Sequence, residues 1–125
     1  MNAAFRRGEA ITRLENYSDV IVLHLTLLVC FPDNQEVNHW KKEINAFVGI
    51  MKRYNKSKSP KGTNFDKKDI VRTLSDVIST NDGKDYIAND IMGQKKGMSI
   101  DSHEIDWTAV DEKIDDFALA VLGNS

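Results

Sequence analysis

The sequence predicts an all-α fold, a compact bundle of about five helices in which residues 1–125 form one domain. Apolar residues recur at spacings of three and four along two long segments, 37–54 and 107–122, and this is the period of one helix face. No partner strand is evident for any apolar run. The 125 residues are 41% hydrophobic and 29% charged, which is typical of a single globular domain.

The first third of the chain is expected to contain two helices. A short helix around Ile11 and Leu14 is followed by Ser18 and Asp19, which resemble an N-cap for the 12-residue apolar run 20–31. The β-branched residues of that run suit a strand, but its length suits a buried helix. We favour a central helix; if the run were a strand, the fold class would become α+β.

The clearest predicted element is an amphipathic helix over residues 34–54. Asp33 followed three residues later by Glu36 resembles a capping box at its start. Seven large apolar residues mark the buried face of this helix: Val37, Trp40, Ile44, Phe47, Val48, Met51 and Tyr54. The same stripe can serve a core or a homodimer face, so the oligomeric state is not predicted.

The second half of the chain is expected to hold three further helices. One runs from about 65 to 79, with Thr63 or Asn64 as its cap. After a turn at 81–83, a short helix should end at Gly93, and residues 94–102 are expected to form a loop. The last helix should begin near Asp106 and end before Gly123, a natural C′ residue.

Charge is distributed unevenly along the chain. The net charge is only -2, yet residues 41–73 hold ten Lys or Arg and three acids, and residues 101–125 hold seven acids and one Lys. The ordinary interpretation of each segment is a solvated helix face. The functional alternative is a surface that is complementary to a charged partner, because such charge accelerates encounter and selects the partner.

The acidic segment supports the leading functional hypothesis, a protein–protein interaction module of inhibitor or immunity type. Its partner would be a basic protein such as a bacterial toxin nuclease, because a nuclease must hold a polyanion. The expected partner-binding residues are Asp101, Glu104, Asp106, Asp111, Glu112, Asp115 and Asp116.

The basic segment supports an alternative, which is nucleic-acid binding through residues 41–73. Clustered lysines can form the electrostatic footprint of such a protein. The residues expected to contact phosphate are Lys41, Lys52, Arg53, Lys56, Lys58 and Lys61. Against this alternative, the whole chain is mildly acidic and contains no recognisable nucleic-acid-binding motif.

Motifs for catalysis, metal binding and nucleotide binding are missing from the sequence. It contains no HExxH, GxGxxG, GxxxxGK[ST] or GxSxG, and Asn81–Asp85 lacks the flanking carboxylates of a calcium loop. We therefore expect no catalytic residue, no metal, no cofactor and no enzymatic activity. The single cysteine and the absence of an apolar leader or a 20-residue apolar span predict a cytoplasmic protein without membrane contact.

Overall fold

The computed structural model describes residues 3–57, 66–98 and 100–123, and these residues form helices and turns without a β-strand. The prediction of an all-α bundle of about five helices is confirmed. The helices are α1 (Ala3–Cys30), α2 (Val37–Ser57), α3 (Lys67–Ser75), α4 (Asn81–Asp85), a π-helix (Tyr86–Lys95) and α5 (Trp107–Leu122).

The long helix α1 replaces the two helices expected in the first third of the chain. The predicted helix over 20–31 is present, but the N-cap at Ser18 and Asp19 was wrong. Ser18 lies inside the helix, where its hydroxyl donates to the carbonyl oxygen of Glu15 at 2.8 Å. Because a serine hydroxyl can be satisfied by a carbonyl of the preceding turn, serine does not have to start a helix.

The centre of the bundle is α1, which packs against α2, α3, α5 and the π-helix. Helix α5 in turn packs against α1, α2 and α3. The largest fully buried side chain is Trp40, and it joins Leu27, Met51 and Ile114 in one apolar cluster. In the described ranges, no helix has both the length and the apolarity to cross a bilayer.

Helix α2 begins three residues later than predicted, and the expected capping box is absent. Residues 31–36 form turns in which the side-chain oxygen of Asn34 accepts the backbone N–H of Glu36 at 2.8 Å. Asn34 therefore supplies the local acceptor that was assigned to Asp33. The predicted apolar face is correct, since all seven of its members are buried or partly buried against the core.

Helix α3 starts with a reciprocal capping box that was not predicted from the sequence. Asp66 accepts the backbone N–H of Asp69 at 3.0 Å, and Asp69 accepts that of Asp66 at 3.0 Å. The predicted caps Thr63 and Asn64 lie outside the described residues. The α-helix ends at Ser75, earlier than predicted, and a 3-10 turn continues it over Asp76–Ile78.

The turn expected at residues 81–83 is instead the start of a helix. Thr80 caps α4 by accepting the N–H of Gly83 at 3.0 Å. The π-helix follows directly and continues two residues past Gly93, so the predicted end of this helix was also wrong. Its Ile87 and Met92, five residues apart, are both fully buried, as expected from the i→i+5 spacing of a π-helix.

Helix α5 has the predicted start and end. Asp106 caps it by accepting the N–H of Ala109 at 3.1 Å, and Gly123 adopts the left-handed conformation with φ 83°. The predicted loop before it contains a short 3-10 turn, Ser102–Glu104. This turn and the caps at both of its ends position the acidic residues discussed next.

Candidate functional site

The seven carboxylates of the predicted acidic surface are all exposed, but they lie in three different settings. Asp101 and Glu104 belong to the 3-10 turn and its cap, and Asp106 is the N-cap of α5. The remaining four carboxylates lie along α5 itself: Asp111, Glu112, Asp115 and Asp116.

Asp101 and Glu104 line a cleft of 690 Å³ together with a third carboxylate, Asp85 at the end of α4. We call these three residues the cleft carboxylates. The other lining residues are Asn89, Ile100, Ser102 and His103. Asp85 was not among the predicted site residues, because it lies 17 positions before Ser102 in the chain and reaches the cleft only through folding.

Hydrogen bonds from Ser102 and Trp107 fix the wall of this cleft. The buried hydroxyl of Ser102 donates to Oδ1 of Asp85 at 2.6 Å, which is the short distance of a charge-assisted bond. The indole N–H of Trp107 donates to the carbonyl oxygen of Ser102 at 2.8 Å. The 3-10 turn is thereby tied to α4 on one side and to α5 on the other.

The negative charge of Asp101 is stabilised within the turn. Its Oδ1 accepts the backbone N–H of His103 at 2.9 Å and lies 3.1 Å from Nδ1 of the same histidine. The backbone hydrogen bond, followed by the ring contact, lowers the pKa of Asp101. The carboxylate therefore stays ionised at pH values where an unperturbed aspartate begins to protonate.

Asp111 has a different electrostatic environment on α5. Partial burial raises its pKa, the negative charge of Asp115 one turn away raises it further, and Lys84 opposes both effects. The amine of Lys84 lies 6.0 Å from the centre of the Trp107 ring. This lysine thus supplies positive charge near the first turns of α5.

Asp115 and Asp116 are also accompanied by cationic side chains. Asp115 shares a recess of 470 Å³ with three cationic residues of α3, namely Lys67, Lys68 and Arg72. Asp116 lines a separate cavity with Lys41 and Lys113. The structure therefore does not bring the seven predicted residues together as one acidic patch, because adjacent positions on a helix point in different directions.

The residues of the predicted nucleic-acid surface are also spread apart. Lys41 is the fifth residue of α2, in its second turn, and Lys52 and Arg53 lie near its other end. Twelve residues separate Lys41 from Arg53, which corresponds to about 18 Å along the helix axis. The side chain of Lys56 and the residues Lys58 and Lys61 lie outside the described part of the chain.

The two core groups with possible acid–base or nucleophilic chemistry have environments that suppress it. The Nδ1–H of buried His24 donates to the carbonyl oxygen of Val20 at 2.7 Å, and burial lowers the pKa of this histidine. Burial raises the pKa of the half-buried Cys30 thiol to about 11. A neutral histidine and a protonated thiol are the forms expected at neutral pH.

Metal ligands and relatives provide no further guide to function. Among the described side chains, no group of three His, Cys, Asp or Glu residues is arranged to hold a metal ion. Comparison of the chain with protein-family models, curated proteins and solved structures finds no match.

Proposed function

We propose that this chain is a binding protein of inhibitor or immunity type that neutralises a basic protein partner, such as a bacterial toxin nuclease. The observation that carries the proposal is the cleft of 690 Å³ lined by Asp85, Asp101 and Glu104. Among the described residues that line it, none is a lysine or an arginine. Asp101 and Glu104 are exposed and Asp85 is half-buried, so a cationic partner can reach all three, with His103 lying beside Asp101.

The cleft carboxylates are better suited to this role than the carboxylates of α5. Like charges in a concave site focus the electric field and raise the association rate of an oppositely charged partner. Asp115 and Asp116 have lysine or arginine neighbours that weaken their field at a distance. We place the α5 carboxylates at the periphery of the contact, where they add long-range attraction.

Binding rather than catalysis is proposed because the sequence has no catalytic motif and its only cysteine has a raised pKa. We place the interaction in the cytoplasm, because a chain with one cysteine is independent of disulfide formation. A nuclease fits as the partner because it must carry the positive charge that holds a polyanion.

The proposal is tested first by affinity capture from lysate of the source cells, with and without nuclease treatment. The expected result is one basic protein that is retained after nuclease treatment and whose activity is inhibited by the purified chain. If only nucleic acid and a spread of proteins are captured, and they are lost on nuclease treatment, the proposal is wrong.

A matched pair of charge reversals then tests the role of the cleft. Glu104→Lys and Glu112→Lys change the net charge equally, and both glutamates are exposed, but only Glu104 lines the cleft. At about 0.15 M salt, E104K should slow association with the captured partner by roughly five- to tenfold, because two charge units at about 4 Å are worth about 2 kcal/mol in water and screening reduces this by about half. E112K should slow it less than about threefold, because the Debye length at this salt is about 8 Å and position 112 lies outside the cleft. If both variants slow association equally, the cleft is not the partner-binding surface.

Nucleic-acid binding is the second candidate function, and the recess beside α3 favours it. Lys67, Lys68 and Arg72 are exposed and line this recess together. Fluorescence anisotropy with labelled single- and double-stranded DNA at low salt is the test. Binding that falls steeply with salt and is weakened by Lys68→Gln supports this candidate, and a flat titration excludes it.

A further inference from the structure

A second concave site lies between α1, α2 and α5, away from the cleft. It is a cavity of 280 Å³ and shares no lining residue with the cleft. Each of the three helices contributes two apolar side chains to its wall. These six residues are Leu25, Leu28, Ile44, Val48, Phe117 and Ala120. Spaces between the helices of bundles are common places for small-molecule sites that combine an apolar wall with a few polar groups.

Charged side chains lie around this apolar wall on two helices. Lys41 comes from α2, and Lys113 and Asp116 come from α5. Lys113 is half-buried, and in the described part of the chain neither lysine has a carboxylate within the 4.0 Å of an ion pair. Two cations and one anion leave an excess of one positive charge. A half-buried amine without an ion-pair partner favours a ligand that brings a negative charge.

We propose that this cavity binds a medium-chain aliphatic carboxylate. The alkyl tail would lie against the six apolar side chains, and the carboxylate would lie between the amines of Lys41 and Lys113. A group the size of a water molecule occupies about 30 Å³, so 280 Å³ accommodates roughly nine such groups. Octanoate has this size. This ligand site is independent of the proposed partner-binding function and does not rest on it.

Titration of the full chain with octanoate tests the proposal, with heat and backbone amide chemical shifts as the two readouts. The expected result is saturable binding, with shift changes centred on the segments of α1, α2 and α5 that line the cavity. Butyrate should show no measurable binding, because each methylene lost weakens binding by about fourfold. Octylammonium has the same number of carbons and the opposite charge, and it should bind more weakly than octanoate.

Two pairs of variants locate the tail and the head of the ligand. Ala120→Trp fills the cavity from an exposed position and should abolish saturable binding, whereas Ala46→Trp, exposed on α2 but not lining the cavity, should leave it unchanged. Lys113→Gln should weaken octanoate binding by roughly two- to fivefold, and Lys42→Gln should not.

Three results would overturn the proposal. The first is the absence of saturable octanoate binding to the unmodified chain. The second is equal binding of octanoate and octylammonium, which would show an apolar surface without charge selection. The third is a set of shift changes scattered over the whole chain. Because all three are measured on the unmodified protein, the proposal stays testable even if A120W does not fold.

Discussion

Replacing Gly83 with alanine tests how α4 packs on the turn before it. A Cβ atom at this position would lie 2.0 Å from the carbonyl oxygen of Val77 and 3.1 Å from its carbonyl carbon. The obstacle is backbone, so no change of rotamer relieves it. Helix α4 would have to move by about 1 Å or more to restore an ordinary van der Waals separation.

The cost of Gly83→Ala can be worked from three contributions. Alanine gains about 1 kcal/mol over glycine from helix propensity. Overpacking costs about 1–3 kcal/mol. The shift of α4 also breaks the hydrogen bond from the N–H of Gly83 to Thr80 Oγ1, a cap worth about 1 kcal/mol. The expected net result is a loss of about 1–3 kcal/mol in the free energy of unfolding.

Urea unfolding followed by circular dichroism measures this loss, with Gly49→Ala as the matched control. The nearest atom to a Cβ at position 49 is the side-chain Nη1 of Arg53 at 3.7 Å, an ordinary contact. G49A should therefore stabilise the protein by roughly 0.5–1 kcal/mol. If G83A proves as stable as the unmodified protein, the close packing of α4 on Val77 is refuted. A destabilised G49A would instead show that alanine is unfavourable for reasons other than this contact.

Three further predictions concern single side chains. Burial lowers the pKa of His24 in the folded protein, so the stability carried by the neutral ring is complete above the ordinary pKa of 6.5 and is lost as pH falls through the folded pKa. The urea midpoint of His24→Asn should fall less over this pH range than that of the unmodified chain. Parallel profiles would contradict a lowered pKa for His24. Raising the pKa of Cys30 from 9.0 to about 11 lowers its thiolate fraction at pH 8 by about a hundredfold. A disulfide reagent should therefore react far more slowly with the folded chain than with the chain unfolded in urea. Equal rates would show that the thiol of the folded chain is accessible and not shifted in pKa. Asp66→Ala removes the α3 cap and should lower the free energy of unfolding in urea by about 1 kcal/mol, whereas Asp33→Ala should lower it little. An equal loss for both variants would show that Asp33 caps α2 as the sequence predicted.

Helix faces could be predicted from the sequence more reliably than helix ends. The apolar stripes of α2 and α5 repeat over four or more turns, so burial leaves one possible orientation for each helix. An end depends on one or two hydrogen bonds that several nearby residues can supply. Ser18 bonds to Glu15 inside α1 instead of capping a new helix, and Asn34 takes the role expected of Asp33.

The candidate site could be predicted only in part. The density of carboxylates after residue 100 is visible in the sequence, and all seven are exposed as a binding surface requires. Their grouping depends on which elements pack together, and no local pattern shows this. Asp85 joins the cleft through its bond to Ser102, and Asp115 meets cations of α3 that precede it by more than 40 positions.

Helix α5 connects the two proposed sites and allows their independence to be tested. Its first residue, Trp107, holds the wall of the cleft, while Lys113 and Ala120 line the cavity 6 and 13 residues further along the axis, at about 9 and 20 Å. The two sites share no lining residue, and effects of changes about 10 Å or more apart without a shared partner are usually additive. Saturating octanoate should therefore leave the association rate of a cleft-bound partner unchanged. If octanoate did change the affinity for the partner, the partner would have to change the affinity for octanoate by the same factor, because coupling between binding sites is reciprocal. That result would indicate that α5 switches between two positions and so transmits the change.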